Sequence, residues 1–196
     1  MRKRLLWGTA ILAGAIALLW LAGLLFLPGE YRFGTDVVMA KDPERAWAWF
    51  VNPAHWPARF SIVQSVEGPS GTMADVGTRH RVTLRLPGGR TLVSDIIVTD
   101  AIAGRLFADR HVDDRVDGWP LPLERVTDRL EFNPDGTGKT RIVFTEIIDV
   151  EGAFGKWLAY LELNPVADRV IAEVVGDYNR AVAHGRPVSS TPEPRA

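Results

Sequence analysis

The sequence predicts an α+β protein in which a curved antiparallel sheet wraps around a long C-terminal helix, preceded by one transmembrane helix. Three observations indicate this architecture. Residues 5–27 carry no charge, several strand-like runs follow between residues 34 and 150, and an amphipathic stretch extends from residue 164 to about residue 184. Because strands and helices are segregated along the chain, the pattern is typical of an α+β domain rather than of alternating βα units.

Length and composition limit what the protein can be. The chain has 196 residues, a net charge of −1 and no cysteine. We expect an anchor (residues 1–28), one domain (29–185) and a disordered tail rich in Pro and Ser (186–196). The near-neutral charge argues against nucleic-acid binding, which needs a basic surface. The absence of cysteine excludes disulfides, thiolate metal sites and a cysteine nucleophile.

The uncharged N-terminal run predicts a membrane span. As a helix it would be about 35 Å long, enough to cross a hydrocarbon core of roughly 30 Å. The basic residues 2–4 precede it, so the N-terminus is expected in the cytoplasm and the globular domain on the extracytoplasmic side. A cleaved signal peptide is the alternative, but the run is too long and ends without a small-x-small site. We therefore expect a single-pass protein anchored in the bilayer through residues 5–27.

A short helix pair is predicted in KDPERAWAWFVNPAHWPARF, residues 41–60. Asp42 is a good N-cap and Pro43 suits the first helical position. Asn52-Pro53 then interrupts the helix, because the residue before a proline disfavours α geometry. We interpret the pair, with its three tryptophans, as a cover for the open end of the sheet.

The strands follow from alternation and turn residues. Residues 34–40 form a first strand; residues 78–86 alternate arginines with His80, Val82 and Leu84, which indicates an antiparallel sheet with one wet face. Residues 91–100 and 106–112 are further strands. Residues 125–132 and 140–150 form a hairpin around the turn Asn-Pro-Asp-Gly at 133–136.

The C-terminal part is predicted to be helical. Residues 154–163 form a first piece, and Pro165 predicts a break before a long helix that ends near Gly185. The apolar stripe of that helix must lie on the covered face of the sheet. Since a twisted, curved sheet cannot contact one helix along its whole length, the two should leave a cavity.

This order of elements resembles the START and birch-pollen-allergen-like (SRPBCC) superfamily, with its helix-grip fold, and in particular its polyketide cyclase/dehydrase-like members. The resemblance covers about residues 31–184. It is carried by DPERAWAWFVNPAHWPARFSIVQSVEG (42–68), VGTRHRVTLRLPGG (76–89) and NPVADRVIAEVVGDYNRAV (164–182). It implies that a lipid, sterol, polyketide or hydrophobic hormone binds between sheet and helix; a minority of members are cyclases or dehydrases. The N-terminal anchor departs from the plain soluble form.

Ionisable residues on apolar faces are the candidate site. Glu146, Asp128, Arg110 and His80 each share a strand face with apolar residues. The expected register places Asp128 near Phe144, and brings Arg110, Asp128 and Glu146 together inside the sheet. Such charges could anchor the hydroxyl, carbonyl or carboxylate of an apolar ligand. An internal salt-bridge network, or a bulge that turns one residue outward, is the alternative, and His80 also suits a position at the core edge.

The predicted function is membrane-anchored binding of a small hydrophobic ligand, lipid-, sterol- or polyketide-like. The alternatives are a polyketide cyclase/dehydrase-like enzyme using Glu146, Asp128 and Arg110, and a membrane-tethered protein-interaction module. We assign no catalytic residue and no cofactor. The four histidines show no short-spaced pair, so no metal site is expected. The predicted ligand-binding residues are His80, Leu84, Ile96, Arg110, Trp119, Asp128, Phe144, Glu146, Val174 and Tyr178.

Overall fold

A computed structural model describes residues 2–69 and 71–163. The predicted long C-terminal helix and the tail lie outside these residues. The helical elements are α1 (Arg2–Phe26), α2 (Pro43–Phe50), α3 (Trp56–Arg59) and α4 (Gly152–Leu158), with 3-10 turns at Pro53–His55 and Pro87–Gly89 and a π-helical segment at Ala159–Leu163. The strands are β1 (Glu30–Met39), β2 (Val63–Glu67), β3 (Arg79–Arg85), β4 (Thr91–Ile102), β5 (Leu106–Val116), β6 (Trp119–Pro120), β7 (Arg125–Pro134) and β8 (Thr140–Asp149).

The eight strands form one curved antiparallel sheet, as predicted. Its order is β1-β8-β7-β5-β4-β3-β2, and the two-residue β6 pairs only with β5. Each strand expected from alternation is present, and the predicted hairpin is β7–β8. β2 and β6 were not assigned from residue patterning, because five and two residues are too few to show a clear period.

Two bulges shape the middle of the sheet. Asp95 lies opposite Asp113 whereas Ile96 lies opposite His111, so Val112 is an extra residue on β5. A second register shift on β4 follows Val98. Because an extra residue reverses the alternation of a strand, residues three apart on β5 can face the same side.

The short helices form as predicted and lie against the inner face of the sheet. Asp42 caps α2, with Oδ1 accepting a hydrogen bond from the backbone N–H of Arg45 at 3.0 Å. The Trp47 indole donates to the carbonyl oxygen of Leu106 at 3.0 Å, which ties α2 to β5. The Phe50 ring lies 5.7 Å from that of Phe107, between ring centroids.

The buried side chains form two clusters. The larger lies beneath the short helices and includes Trp49, Phe60, Ile96 and Phe107. The smaller joins β1, β7 and β8 to the π-helical segment. Its buried members are Phe33, Val126, Ile148, Val150 and Ala159.

α1 contacts α4. The Trp157 indole donates to the carbonyl oxygen of Leu19 at 2.9 Å, and Lys156 Nζ donates to that of Leu24 at 3.2 Å. Gly23 permits this approach, since a Cβ there would come 2.6 Å from Trp157 Nε1. In the part of the chain that the structure describes, no helix combines the length and the apolar character that crossing a bilayer requires. The transmembrane part of the predicted fold is therefore not supported by the structure.

Candidate functional site

A cavity of about 300 Å³ lies between the inner face of the sheet and the short helices. This volume is at the lower end of the range for small-molecule sites. Most of the wall is apolar. It includes Val37, Trp49, Phe50, Trp56, Phe60, Val82, Leu84, Ile96, Phe107, Leu130, Ile142, Phe144 and Ile148.

Five ionisable side chains line one part of the cavity: Asp109, His111, Asp114, Asp128 and Glu146, here called the acidic cluster. β5 supplies the first three, β7 the fourth and β8 the fifth. Asp109 lies opposite Asp128, which in turn lies opposite Glu146, so three carboxyl groups form a row across neighbouring strands. Side chains opposite each other in an antiparallel pair are close enough to interact directly.

The His111 ring is held at one nitrogen. Its Nδ1 lies 3.0 Å from Asp114 Oδ1 and 3.0 Å from Ser94 Oγ. This contact depends on the bulge at Val112, which places Asp114 on the same side of β5 as His111. The other nitrogen, Nε2, lies 3.5 Å from Asp128 Oδ2 and 3.9 Å from Asp109 Oδ1. Nε2 thus faces two carboxylates without a short hydrogen bond.

The cluster has more acceptors than donors. The Oδ1 atoms of Asp109 and Asp128 are buried and accept no hydrogen bond, and Asp109 is only 3% exposed. No lysine or arginine lines the described part of the cavity. An unpaired buried polar atom costs about 1–3 kcal/mol, and more when charged. Four carboxyl groups beside one imidazole therefore need protons, a cation or a hydrogen-bond donor from a ligand.

Burial and mutual repulsion shift the pKa values in the cluster. Burial, followed by the Asp128 charge, raises the pKa of Glu146 to about 8. The same two causes raise the pKa of Asp109 well above its ordinary value. Burial alone would lower the pKa of His111, but Asp114 and Asp128 outweigh it and raise that pKa well above its usual range. At neutral pH the cluster is thus expected to hold a protonated Glu146 and an imidazolium.

Five of the predicted ligand-binding residues line the cavity: Leu84, Ile96, Asp128, Phe144 and Glu146. Their contact with a ligand stays a prediction. The register expected for the hairpin was wrong by two residues. Asp128 lies opposite Glu146, and the residue opposite Phe144 is Leu130. A shift of two residues keeps every side chain on its predicted face.

The predicted position of Arg110 inside the sheet is wrong. Arg110 is exposed, and it lies opposite Thr127, while its neighbour His111 lies opposite Val126. The apolar residues at even positions of β5 suggested that the even face is covered. The side chains that reach the cavity are instead Phe107, Asp109 and His111. A slip of one residue exchanges the two faces of a strand, and this removed Arg110 from the predicted trio.

The other predicted residues do not line the described cavity. His80 is buried to 1% exposure, its Nε2 lies 3.2 Å from Thr78 Oγ1, and burial lowers its pKa, so it lies inside the core and not at the core edge. Trp119 is 78% exposed on β6. Val174 and Tyr178 lie outside the described residues.

Sequence reasoning missed Ser94, Asp109, His111 and Asp114. Asp109 and His111 alternate with Arg110, so the correct choice of face would have found them together. Asp114 follows His111 by three residues, which in a regular strand would put it on the opposite face. Only the bulge at Val112 turns the Asp114 side chain to the face of His111, and no residue pattern in the sequence indicates that bulge.

Comparison with known proteins supports the fold. A family model described as polyketide cyclase / dehydrase and lipid transport matches residues 32–182. No curated protein matches the chain.

Solved structures similar to this one include three proteins at 13% identity. The di-domain ARO/CYC BexL from the BE-7585A biosynthetic pathway has a TM-score of 0.62, with 81% of this chain covering 52% of that two-domain protein. The Zhui aromatase/cyclase from Streptomyces sp. R1128 has a TM-score of 0.59, with 83% and 99% of the two chains covered. Norcoclaurine synthase from Thalictrum flavum, in complex with dopamine and hydroxybenzaldehyde, has a TM-score of 0.57, with 81% and 89% covered. At this identity the likeness shows the fold alone.

Proposed function

Because the chain belongs to the polyketide cyclase, dehydrase and lipid transport family, we propose that it binds a small hydrophobic molecule in the cavity. The observation that carries this proposal is the acidic cluster in an otherwise apolar wall. Apolar side chains would enclose the body of the ligand, and the cluster would orient its polar end.

The chemistry of the cluster limits which functional group the ligand can carry at its polar end. From the sequence alone, this group could be a hydroxyl, a carbonyl or a carboxylate. Asp109 and Asp128 each present an oxygen without a hydrogen bond, so the cluster needs donors. A ligand carboxylate would add a negative charge to a site without lysine or arginine among its described residues, and like charges at short distance repel strongly when buried. We therefore expect a hydroxyl, phenol or ammonium group. Norcoclaurine synthase, which shares the fold, has been crystallised with dopamine and hydroxybenzaldehyde.

A test compares three probes with one apolar body: decanol, decylamine and decanoate. Binding to the full-length chain is measured by tryptophan fluorescence, since Trp49 and Trp56 line the cavity. The alcohol and the amine should bind about tenfold or more tightly than decanoate, a difference of roughly 1.4 kcal/mol or more. The Asp113→Asn variant, which removes a carboxylate on β5 outside the cavity lining, should leave the order unchanged. Equal or tighter binding of decanoate, or no uptake of any probe, would contradict the proposal.

A cyclase- or dehydrase-like activity is the second candidate. The supporting observation is the His111 ring, whose Nδ1 is held by Asp114 while Nε2 lies 3.5 Å from Asp128 Oδ2, in a cavity wall that also contains Glu146. An imidazolium or a protonated Glu146 can give a proton to one atom of a substrate, while the Asp128 carboxylate accepts a proton from another. Glu146→Gln should then abolish formation of cyclised or dehydrated product while uptake of the substrate persists. Of the three residues expected from the sequence for this activity, Glu146 and Asp128 line the cavity and Arg110 does not.

Attachment to a membrane is a further part of the proposal. It rests on the uncharged residues 5–27 and on the exposed apolar side chains of α1, which include Leu18, Leu25 and Phe26. In cell fractionation the full-length chain should remain with membranes after an alkaline carbonate wash, and added protease should reach the globular domain from the extracytoplasmic side. Release by the wash would contradict attachment. A membrane-tethered interaction module is disfavoured, since a module that acts through its outer surface needs no cavity and a cavity is present.

A further inference from the structure

We propose that Asp109, His111 and Asp128 form a binding site for a divalent transition-metal ion at the wall of the cavity. This goes beyond the proposed function, because the ion would bind whether or not an organic ligand is present. It also departs from the expectation drawn from the sequence. That expectation relied on histidine pairs, whereas this set combines one histidine with carboxylates from two strands.

The distances among the three side chains suit a metal ion. One possible ligand atom from each of the three lies within 4.8 Å of the other two. His111 Nε2 is 3.5 Å from Asp128 Oδ2 and 3.9 Å from Asp109 Oδ1. Ligand atoms about 2.1 Å from a tetrahedral ion are about 3.4 Å apart. The observed separations are therefore near those of metal ligands and longer than good hydrogen bonds.

A second observation points to an absent partner at the same place. Asp109 Oδ1, the atom that faces His111 Nε2, is buried and accepts no hydrogen bond. Asp109 itself is 3% exposed, so bulk water does not compensate for the missing partner. Asp128 Oδ1 is buried and unpaired in the same way. Buried carboxylate oxygens without donors are the positions at which a cation is most stabilising.

The surroundings of His111 favour coordination through Nε2. Asp114 and Ser94 contact Nδ1, each at 3.0 Å, so the proton of a neutral ring would lie on Nδ1. When a metal ion displaces the second proton of the imidazolium, the Nε2 lone pair faces Asp109 and Asp128. Histidine ligands of metal ions commonly carry such a carboxylate on the other ring nitrogen, which fixes the ring and increases its basicity.

The donor set indicates the kind of ion. One imidazole nitrogen with two carboxylates suits Zn²⁺, Fe²⁺ or Mn²⁺, whereas Ca²⁺ and Mg²⁺ prefer sites made wholly of oxygen. A fourth position would open towards the cavity lumen, near Glu146. A polar group of a bound ligand could reach the ion there.

The experiment titrates the metal-free full-length chain with Zn²⁺ by calorimetry, and with Co²⁺ by visible absorption, which reports coordination number. Wild type should bind one equivalent, and Zn²⁺ should raise its melting temperature by mass action. Asp109→Asn and His111→Gln should each weaken binding by about tenfold or more. Asp113→Asn, on the same strand but outside the cavity lining, should change the affinity less than about twofold. Circular dichroism verifies that every variant is folded.

The outcomes separate this site from the proposed ligand. The metal site would be overturned if folded wild type bound no stoichiometric metal. It would also be overturned if Asp109→Asn and His111→Gln both kept the wild-type affinity. Protons would then be the charges that neutralise the carboxyl groups. Protein that binds Zn²⁺ but takes up none of the decyl probes would keep the metal site and lose the ligand. Protein that takes up decanol but binds no metal would show the reverse.

Discussion

Asp128 on β7 lies directly opposite Glu146 on β8, and both carboxyl groups line the cavity. Two acids side by side in an apolar wall cannot both ionise without strong repulsion. The pKa of Glu146 is accordingly raised, first by burial and then by the Asp128 charge. The pair thus makes the cavity sensitive to pH at values near neutrality.

Glu146→Gln should change how stability depends on pH. The pKa of Glu146 rises from its ordinary 4.5 in the unfolded chain to about 8 in the fold. A group with a raised folded pKa stabilises the fold below the unfolded value, and this contribution is lost as pH rises through the folded value. Glutamine never ionises, so the variant should lie close to wild type near pH 5 and exceed it by roughly 3–5 kcal/mol near pH 9.

The measurement is urea unfolding of metal-free protein across this pH range, with chelator present. Glu124→Gln, an exposed change outside the acidic cluster, serves as the control and should leave the pH profile unchanged. If wild type and Glu146→Gln lose stability in parallel between pH 5 and pH 9, the pKa of Glu146 is not raised in the fold.

Leu84→Trp should block the cavity without unfolding the protein. Leu84 lines the cavity from β3, so a larger side chain there can extend into open space rather than into a close-packed core. Uptake of decanol, followed by fluorescence, should fall by about tenfold or more, roughly 1.4 kcal/mol. The same substitution at exposed Arg85, on the next position of the strand, should leave uptake intact. Normal uptake by Leu84→Trp would place the ligand elsewhere.

Phe50→Ala should destabilise the fold by loosening the short helices. The Phe50 ring contacts the rings of Trp56, Phe107 and Phe132. Removing a large aromatic side chain from such a cluster costs about 3 kcal/mol. Phe154→Ala is the matched control, because that ring is 70% exposed and its loss should cost less than about 0.5 kcal/mol. Equal losses for the two variants in chemical unfolding would contradict the role given to the helix pair.

Asp95 should make the protein sensitive to acid. Arg81 and Arg79 donate to its carboxylate at 2.6–2.9 Å and lower its pKa to about 2. A lowered folded pKa stabilises the fold above the unfolded value of 3.8, and this contribution disappears as pH falls towards about 2. Asp95→Asn should therefore destabilise the protein by about 1–2 kcal/mol at pH 7 and by little near pH 2.

Thermal unfolding at the two pH values measures this difference. Asp36→Asn breaks an ion pair with Arg141 in which both side chains are more than half exposed. Such exposed pairs contribute about 0–1 kcal/mol, so this variant should differ little from wild type at either pH. A loss for Asp95→Asn that is the same at pH 7 and pH 2 would exclude the ionised Asp95 as its cause.

The elements that the sequence predicted well are those with strong local signals. Asp42 and Pro43 start α2, and the alternation of β3 and the turn after β7 define their strands. Caps, breakers and period-two patterns act over a few residues, so they can be recognised without the rest of the fold. Leu84, Ile96, Phe144, Asp128 and Glu146 were placed inside for the same reason.

By itself, therefore, the sequence determined the α+β class, the antiparallel sheet and the apolar faces that surround the cavity, because each depends on local periodicity. Only the tertiary structure decided which ionisable groups meet. A single extra residue, Val112, turns Asp114 towards His111, and the true face of β5 replaces Arg110 with Asp109 and His111. Register between strands is set by bulges and by pairing across the whole sheet, and a slip of one residue moves every side chain to the opposite face.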